Sequence, residues 1–407
     1  MATAATDEGL GYARYTYRLR VSSTACALLE AEWGRCRWLW NECVHMSRKV
    51  YLHNQAHPEG KRTLGPADLD KLLTSARGSM AWLREGASVP QQQVIRDFAK
   101  SRSKAWKDMT AKLPVNQRAG MPKPKRKHDS RPSLNYTRRG FRIKDGRLHL
   151  AGGIVVTVVW SRDLPTDPSS VRVYRDVLGY WNCSFVVQAS TEPFATTGVV
   201  IGIDWGVREI ATTTDDAYDL PHPEHGKGAA ARLAHYQRQM ARRHRPKGKA
   251  QTKGYHKARR QAAKVHRKIA DRRMDTARKW AKTVVRDHDE VAVEDFRPKF
   301  LAKTTMAKKA ADAAIGAAKA ALVAMAAKHG RTVHLVNPVH STMDCARCGA
   351  RAKHRLPLSE RIYTCTACGV SSPRDKNSAR VMLVRAGLNP AGDDRGRPQR
   401  PQDDAAA

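Results

Sequence analysis

Two pairs of closely spaced cysteines constrain the fold of this chain more than any other feature of its sequence. The pairs are Cys345-Ala-Arg-Cys348 and Cys365-Thr-Ala-Cys368, each followed by a glycine and separated by 16 residues. Two residues between cysteines let both thiolates reach one ion, and the glycine permits the tight turn that follows. Four thiolates close a tetrahedral shell around zinc, so the spacing predicts one structural zinc ion. The alternative, four unrelated buried cysteines, is disfavoured by the paired spacing and the paired glycines.

The charge of the chain is strongly positive. Its 407 residues include 74 Lys and Arg against 38 Asp and Glu, which gives a formal net charge of +36. Such an excess repels itself in the compact state, and a polyanionic partner relieves the repulsion. Nucleic acid is the usual partner, because each phosphate contact releases counterions. Composition therefore indicates a nucleic-acid-binding protein, while a basic ribosomal-type protein or a membrane-surface binder remains an alternative.

Length and hydrophobic content bound the architecture. A chain of 407 residues is too long for one ordinary core, and 41% hydrophobic residues are enough to build two or three. We find no apolar run of about 18 residues and no signal peptide, so we expect no membrane span and a cytoplasmic protein. Disulfides are rare in that compartment. The other four cysteines are then interpreted as small core residues: Cys26, Cys36, Cys43 and Cys183.

The first half of the chain predicts a strand, a helical bundle and a β-rich block. Residues 12–21 alternate between apolar and basic side chains, as in a half-buried strand. Residues 22–112 carry apolar residues at helical spacing, and a basic, proline-containing linker follows at 121–128. Short glycine-punctuated strands then predict a compact β-barrel that the first strand joins. The predicted strands are residues 141–143, 147–150, 154–160, 171–174 and 180–188.

The second half predicts an α/β domain. It opens on the continuous apolar run 199–203, which is typical of a strand buried on both faces. In chain order the predicted elements are this strand, a long basic helical region, a strand at 290–296, an alanine-rich helix at 306–329, a strand at 332–336 and a helix at 375–385. The tail after residue 389 is rich in Pro, Asp and Arg and is predicted to be disordered.

Three acidic residues stand at the ends of these elements. Asp204 ends the strand VVIGID, Glu294 lies in VAVED, and Asp375 lies in SSPRDKNSA directly before a helix. Three converging carboxylates would bind two magnesium ions about 4 Å apart, which activate water and stabilise the leaving oxygen in phosphodiester hydrolysis. Each residue also fits a structural role. Asp204 could cap a turn, Glu294 could face solvent beside a more interesting Asp295, and Asp375 could be a helix N-cap.

The order of these motifs resembles the TnpB (OrfB) family, the transposon-encoded relatives of type V CRISPR effectors, over residues 12–386. VIGIDWGVREIATTTD is similar to the first RuvC motif, and HRKIADRRMDTARKWAKTVVRDHDEVAVEDF to the basic helix leading into the second. NPVHSTMDCARCG with YTCTACGVSSPRDKNSARVML is similar to the zinc ribbon followed by the third motif. SVPQQQVIRDFAKSRSKAW, GMPKPKRK and VLGYWNCSFVV resemble the helical recognition segment, the linker after it and the last barrel strands. One departure is that the family's Asp-Arg-Asp reads Pro373-Arg374-Asp375 here.

The resemblance implies a multidomain α/β fold. An RNase H-like (RuvC) mixed sheet with an inserted zinc ribbon is preceded by a β-barrel wedge domain that carries an inserted helical bundle. The boundaries we predict are 1–21 for the first wedge strand, 22–120 for the helical recognition bundle, 121–195 for the rest of the wedge barrel, 196–339 and 371–388 for the RuvC-like domain, 340–370 for the zinc ribbon and 389–407 for the tail.

The resemblance also implies an activity: an RNA-guided DNA endonuclease that hydrolyses phosphodiester bonds in the prokaryotic nucleoid. Asp204, Glu294 and Asp375 take the catalytic positions and hold two magnesium ions, and the four cysteines of the two pairs hold one zinc ion. The implied partners are a guide RNA from the transposon end and double-stranded target DNA with a short adjacent motif. The alternatives are RNA-guided DNA binding without cleavage, a small type V CRISPR effector and a strand-joining transposase.

A basic segment separates the first two motifs. Between Arg232 and Arg286 there are 20 Lys and Arg, but only two acidic residues. Apolar residues recur on one face: Val265, Ile269, Ala277, Trp280 and Val284. We therefore predict a helix that docks on a sheet while its basic face follows nucleic acid, the alternative being a merely solvated charged surface. The candidate contact residues are Arg267, Lys268, Arg272 and Arg273.

Overall fold

A computed structural model of the chain describes residues 11–115, 117–127, 131–189, 191–246, 248–296, 301, 304–354, 356–357 and 359–388. These residues form two compact units that divide at residues 190 and 191. Residues 1–10 of the predicted first wedge segment and the predicted disordered tail 389–407 lie outside the described residues.

The first unit contains a seven-stranded antiparallel sheet that is nearly closed. Its strands are β1 (Tyr12–Arg20), β2 (Ser133–Thr137), β3 (Phe141–Lys144), β4 (Arg147–Leu150), β5 (Ile154–Val159), β6 (Ser170–Arg175) and β7 (Trp181–Gln188). Their order is β2-β6-β7-β1-β5-β4-β3, so β1 joins this sheet, as the sequence predicts, and lies in its interior. The edge strands β2 and β3 are joined in the chain by the single turn Arg138–Gly140. The strand β2 was not predicted.

Among the residues that the structure describes, four helices lie in the long connection after β1. They are α1 (Ser23–Ala56), α2 (Pro66–Ser79), α3 (Ala81–Arg84) and α4 (Ser88–Thr110). Ser22 caps α1, because its hydroxyl accepts a hydrogen bond of 3.1 Å from the backbone N–H of Ala25. The buried stripe of α1 includes Leu29, Cys36 and Cys43 and belongs to the same hydrophobic core as the sheet. These helices stand in the chain between β1 and β2, which belong to the same sheet.

The second unit is built on a mixed five-stranded sheet with the order β10-β9-β8-β11-β12. The strands are β8 (Val200–Trp205), β9 (Glu209–Thr213), β10 (Leu220–Pro221), β11 (Glu290–Glu294) and β12 (Thr332–Val336). β8, β11 and β12 run parallel, while β9 is antiparallel to β8 and β10 to β9. The strand β9 was not predicted, and β11 ends two residues earlier than the predicted strand. A short hairpin, β13 (Ile362–Thr364) and β14 (Ser371–Pro373), follows.

Helices cover both faces of this sheet. They are α5 (Ala230–Arg243), α6 (Lys253–Asp287), α7 (Ala307–Ala313), α8 (Ile315–Lys328) and α9 (Arg374–Ala386). The predicted apolar face of α6 is buried throughout, and Trp280 packs edge-on against Trp205 of β8 at 5.9 Å. α6 and α8 share a core with one side of β8 and β11, whereas α9 packs on the other side beside Ala292. Residues 201–203 of the predicted run are therefore enclosed on both faces, whereas Val199 at its start is 43% exposed.

The prediction of a single alanine-rich helix at 306–329 is wrong, because the helix breaks at Ala314. This residue has φ 53° and ψ 38° and separates α7 from α8. A left-handed alanine costs about 1–2 kcal/mol. The break places Asp312 so that it accepts hydrogen bonds from the backbone N–H groups of Gly226 and Lys227 and from Arg273. These charge-assisted contacts offset the cost of the left-handed residue.

The segment Ala307–Lys328 is long and apolar enough, by length and composition alone, to cross a membrane. Length and composition alone do not make it a membrane span, because a buried core helix meets the same criterion. In the fold, its residues Ile315, Ala318 and Leu322 are buried in the core beneath the five-stranded sheet. The same apolar composition thus serves close packing of a core helix.

Candidate active site and zinc centre

Parallel pairing brings two of the three predicted acidic residues together. β8 and β11 are neighbours in parallel register, with Ile203 opposite Val293. The next residues along the two strands, Asp204 and Glu294, consequently lie side by side on the same face of the sheet. Both side chains are buried, with 9% and 8% of the residue surface exposed. Two carboxylates therefore share one buried position at the carboxyl ends of adjacent strands.

A glycine in β8 lets α9 bring the third acidic residue to the same face. At Gly202 an added Cβ would overlap the backbone carbonyl oxygen of Ala379 in α9. Gly202 precedes Asp204 by two residues and shares its strand face, and Asp375 precedes Ala379 by one helical turn. The close approach of helix and strand therefore sets the Asp375 end of α9 over Asp204.

Gly202→Ala is expected to destabilise the second unit. The added methyl would meet backbone of α9 rather than the flexible end of a side chain, so the helix must shift. Overpacking of this kind costs about 1–3 kcal/mol, which thermal unfolding would detect as a lower midpoint. Gly228→Ala is the matched control, because its nearest neighbour is the Glu224 carbonyl oxygen at an ordinary 3.7 Å. Equal midpoints for both variants would contradict the role given to Gly202.

The buried carboxylates of the site favour the binding of a cation. Burial raises the pKa of Asp204 well above its ordinary value, the carboxylates of Glu294 and Asp375 raise it further, and the Arg374 guanidinium opposes them. Burial also raises the pKa of Glu294 to about 7, against the backbone N–H of Trp205 and the ammonium of Lys319. Buried carboxylate oxygens are the hard donors that magnesium prefers. The residues present therefore fit a magnesium site, whose charge would relieve this repulsion.

The carboxylate oxygens of the three acidic residues are not clustered around a single point in the structure. Among the described residues, the four cysteines are the only group of three or more His, Cys, Asp or Glu whose ligand atoms all lie within 4.8 Å of one another. The carboxylate oxygens of Asp204, Glu294 and Asp375 therefore do not all lie within that distance of one another.

The structural roles considered for the two strand residues do not match their environment. Asp204 lies within β8, opposite Thr212 of β9, and caps no turn. Glu294 is buried rather than facing solvent. Its neighbour Asp295 instead forms an ion pair of 2.5 Å with Lys319 of α8. Asp295 is thereby neutralised locally, whereas Glu294 is turned toward Asp204.

Asp375 is not the N-cap of α9. The residue in that position is Pro373, and it makes no side-chain capping hydrogen bond. Asp375 is the second helical residue, and its carboxylate oxygens lie 3.3 Å from Nε of Arg374 and 3.8 Å from Nη1 of Arg361. Its side chain is 37% exposed, so it is the most accessible of the three.

The zinc centre has the geometry that four thiolates require. Sγ of Cys345 lies 3.7 Å from that of Cys368, and Sγ of Cys348 lies 3.6 Å from that of Cys365. A tetrahedral ion with Zn–S bonds of about 2.3 Å needs sulfur separations of about 3.8 Å. In both pairs the following glycine has φ near 70° and donates its N–H to the first cysteine's carbonyl at 2.9 Å. The four cysteines thus form a cluster whose geometry fits the predicted structural zinc site.

A cleft of about 880 Å³ opens beside Glu294. One wall carries Phe296, Leu335 and Val339, and both aliphatic residues are more than 40% exposed. The loop between β12 and the first cysteine pair supplies polar groups, including His340, which has φ 62°. Sequence reasoning did not identify this cleft, because its walls come from segments whose apolar residues are spaced like core residues. The cleft offers an apolar and polar surface next to the carboxylates.

The four candidate nucleic-acid contacts differ in their surroundings. Lys268 and Arg272 are exposed on α6. Arg267 is also exposed but pairs with an acidic residue one turn later at 2.9 Å. Arg273 is half-buried and donates to Asp312 at 2.6 Å, which anchors α6 to α7. The assignment of these residues to nucleic acid stays a prediction.

The fold and the site define a class: a multidomain α/β protein with a four-cysteine zinc-ribbon module beside acidic strand ends. Comparison with known families agrees with this class. The family OrfB_IS605, described as "Probable transposase", matches residues 184–304. The family "Cas12f1-like, TNB domain" matches residues 317–382, which include all four cysteines.

Two relatives are similar over nearly their whole length, and both carry the description "Putative RNA-guided DNA endonuclease". The one from Streptomyces pristinaespiralis is 31% identical over 95% of this chain and 92% of its own. The other, InsQ of Escherichia coli K12, is 24% identical over 86% of each chain. The fold is similar to that in the cryo-EM structure of a Cas12f1–sgRNA–target DNA complex, with a TM-score of 0.54, 13% identity and coverage of 91% and 83%. The chain belongs to the TnpB (OrfB) family.

Proposed function

We propose that this protein is an RNA-guided DNA endonuclease of a transposon, and that its five-stranded sheet is an RNase H-like RuvC domain. The domain boundaries are those predicted from the sequence. The observation that carries the proposal is the buried pair Asp204 and Glu294 at adjacent strand ends, with Asp375 brought to the same face by α9. All three lie in the segments that resemble the family's RuvC motifs.

The chain's own residues prepare this site for phosphodiester hydrolysis. When bound there, magnesium activates water and stabilises the leaving oxygen. Asp204 and Glu294 hold that charge from rigid strands, so little reorganisation is needed on binding. Asp375 closes the site from the first turn of α9. The adjoining cleft accommodates the strand to be cut, with Phe296 and Leu335 against its sugars and bases and His340 at its polar side.

The basic surface of α6 supports a nucleic-acid partner. Lys268 and Arg272 project from a helix whose opposite face is anchored in the core. We propose that this surface follows the backbone of a duplex between guide RNA and target DNA. Sequence is then read mainly by pairing with the guide, and the protein reads a short motif beside the target. The guide comes from the transposon end.

Cleavage is favoured over guided binding alone by the intact carboxylate set. A protein that only binds has no use for two adjacent acidic side chains, where burial first and the neighbouring carboxylates second raise the pKa of Asp204. Maintaining such a site lowers the stability of the fold unless a cation is bound. The four cysteines, in contrast, would surround a zinc ion and leave no open position, so we assign that ion a structural role.

The test is to express the protein with its native flanking DNA, purify it and sequence the RNA that accompanies it. We expect one abundant RNA that maps to the 3′ end of the gene and runs into the flank. That RNA should direct magnesium-dependent cutting of a DNA carrying the complementary sequence. Heterogeneous cellular RNA, together with no guided cutting, would instead favour a strand-joining or sequence-specific DNA-binding protein.

A further inference from the structure

We infer that Arg374, Lys376 and Asn377 form a clamp that positions Asp375, and that Lys376 is its central member. This inference rests on the proposed function, because it concerns the third carboxylate of that site. The start of α9 needs such support, since Pro373 at the N-cap makes no capping hydrogen bond. The first turn of a helix needs other partners for its backbone N–H groups when no side chain caps it, and the N–H of Arg374 donates to the carbonyl of Arg361 at 2.8 Å.

Lys376 ties the first turn of α9 to the corner after β9. Its ammonium donates to the backbone carbonyl of Thr213 at 2.9 Å, to Asp219 at 2.7 Å and to Asp216 at 2.5 Å. All three donors of the ammonium thus have acceptors. The three contacts hold the ammonium at a fixed point.

That fixed point is connected to Asp204 by a short path. Asp219 also accepts a hydrogen bond of 2.6 Å from the backbone N–H of Thr213. Thr213 directly follows Thr212, the residue opposite Asp204 in the β8–β9 pair. Lys376, the residue after Asp375, is therefore bound to Thr213, the residue after the strand partner of Asp204. A displacement of one carboxylate relative to the other has to break this path.

Arg374 forms the second arm of the clamp, toward the zinc-ribbon loop. It is buried, with 7% of its surface exposed. Its Nη1 donates to the carbonyls of Pro357 and Glu360, both at 3.1 Å, while its Nε lies 3.3 Å from Asp375 Oδ1. The same guanidinium thus contacts the loop and the carboxylate that it orients.

Asn377 forms the third arm, toward the first cysteine knuckle. Its side-chain oxygen accepts from the backbone N–H of Ala346 at 3.1 Å, and its amide donates to the carbonyl of Asp344 at 2.8 Å. Ala346 lies within the first cysteine pair, so the knuckle contacts the helix directly. Three anchors on different elements thereby fix a helical turn whose own acidic side chain is 37% exposed.

The clamp is tested with Lys376→Met, which keeps the aliphatic stem and removes the charge, and with Asp219→Asn, which removes its partner. We expect each to lower kcat on the order of 10²-fold while KM and guide-RNA affinity stay unchanged. Mn²⁺ binding at the carboxylates should weaken by about 10–100-fold, and the zinc content should not change. Lys376→Arg should restore most of the kcat and most of the Mn²⁺ affinity. Lys328→Met, which breaks a surface pair with Glu192, is the matched control.

The outcomes separate this inference from the proposed function. A double variant no slower than either single variant would support one shared contact. Wild-type protein that fails to cut with its guide would overturn the proposed function. Wild-type cutting together with normal rates and Mn²⁺ affinity in Asp219→Asn would overturn the clamp, even if Lys376→Met did not fold.

Discussion

Asp204→Ala is expected to abolish magnesium-dependent DNA cleavage and to leave guide-RNA binding nearly intact. Asp204 is a buried carboxylate, and in addition to burial the charges of Glu294 and Asp375 both raise its pKa. Removing it takes away a ligand at the centre of the metal site. Metal ions contribute several kcal/mol of transition-state stabilisation, and about 4 kcal/mol corresponds to about 10³-fold in rate. The measurement is the single-turnover cleavage rate of the complex loaded with guide RNA.

The stability of the variant provides a second readout. Burial and carboxylate repulsion disfavour the charged form of Asp204, so its loss removes a destabilising group. Asp204→Asn, which keeps the shape of the side chain, is therefore expected to unfold at no lower temperature than the wild type without metal. Glu192→Ala, a surface substitution in the same unit, should retain full cleavage. Undiminished cutting by Asp204→Ala would refute the catalytic assignment.

The features of the site that the sequence predicts are those that depend on the spacing of residues close together in the chain. The cysteine pairs specify their own geometry, because each knuckle closes within five residues and its glycine supplies a positive φ. The apolar stripe of α6 follows from helical periodicity, and the enclosed strand before Asp204 follows from its continuous apolar run. For this reason the elements that carry Asp204 and the cysteines agree with the sequence analysis.

The parts that could not be predicted depend on contacts between distant segments. The break at Ala314 follows from the contacts of Asp312 with residues 226–227, which lie more than 80 positions away. The role of Gly202 becomes visible only once α9 is known to pack on it. The partners of Lys376 lie more than 150 residues earlier. No local pattern encodes such pairings, so the sequence alone assigns no role to Lys376, although it is next to the predicted catalytic residue Asp375.

Loss of one zinc ligand is expected to be the most destabilising single change. Cys345→Ser should lower the bound zinc below one equivalent and loosen the second unit from the first cysteine pair to the end of α9. A closed four-thiolate site contributes on the order of 10 kcal/mol to folding, and a serine hydroxyl is a poor substitute for a thiolate. Zinc content by mass spectrometry and hydrogen exchange over residues 340–386 measure the two effects.

The connection between zinc and catalysis makes this variant informative beyond stability. The knuckle that contains Cys345 holds Asn377, and the loop between the pairs holds Arg374. Zinc loss should therefore reduce Mn²⁺ binding at the carboxylates even at temperatures where the five-stranded sheet remains folded. Cys26→Ser is the matched control, since Cys26 is half-buried in the first unit and belongs to no ligand group. One full equivalent of zinc in a Cys345→Ser protein of normal stability would rule out the ribbon and, with it, the route by which zinc supports Asp375.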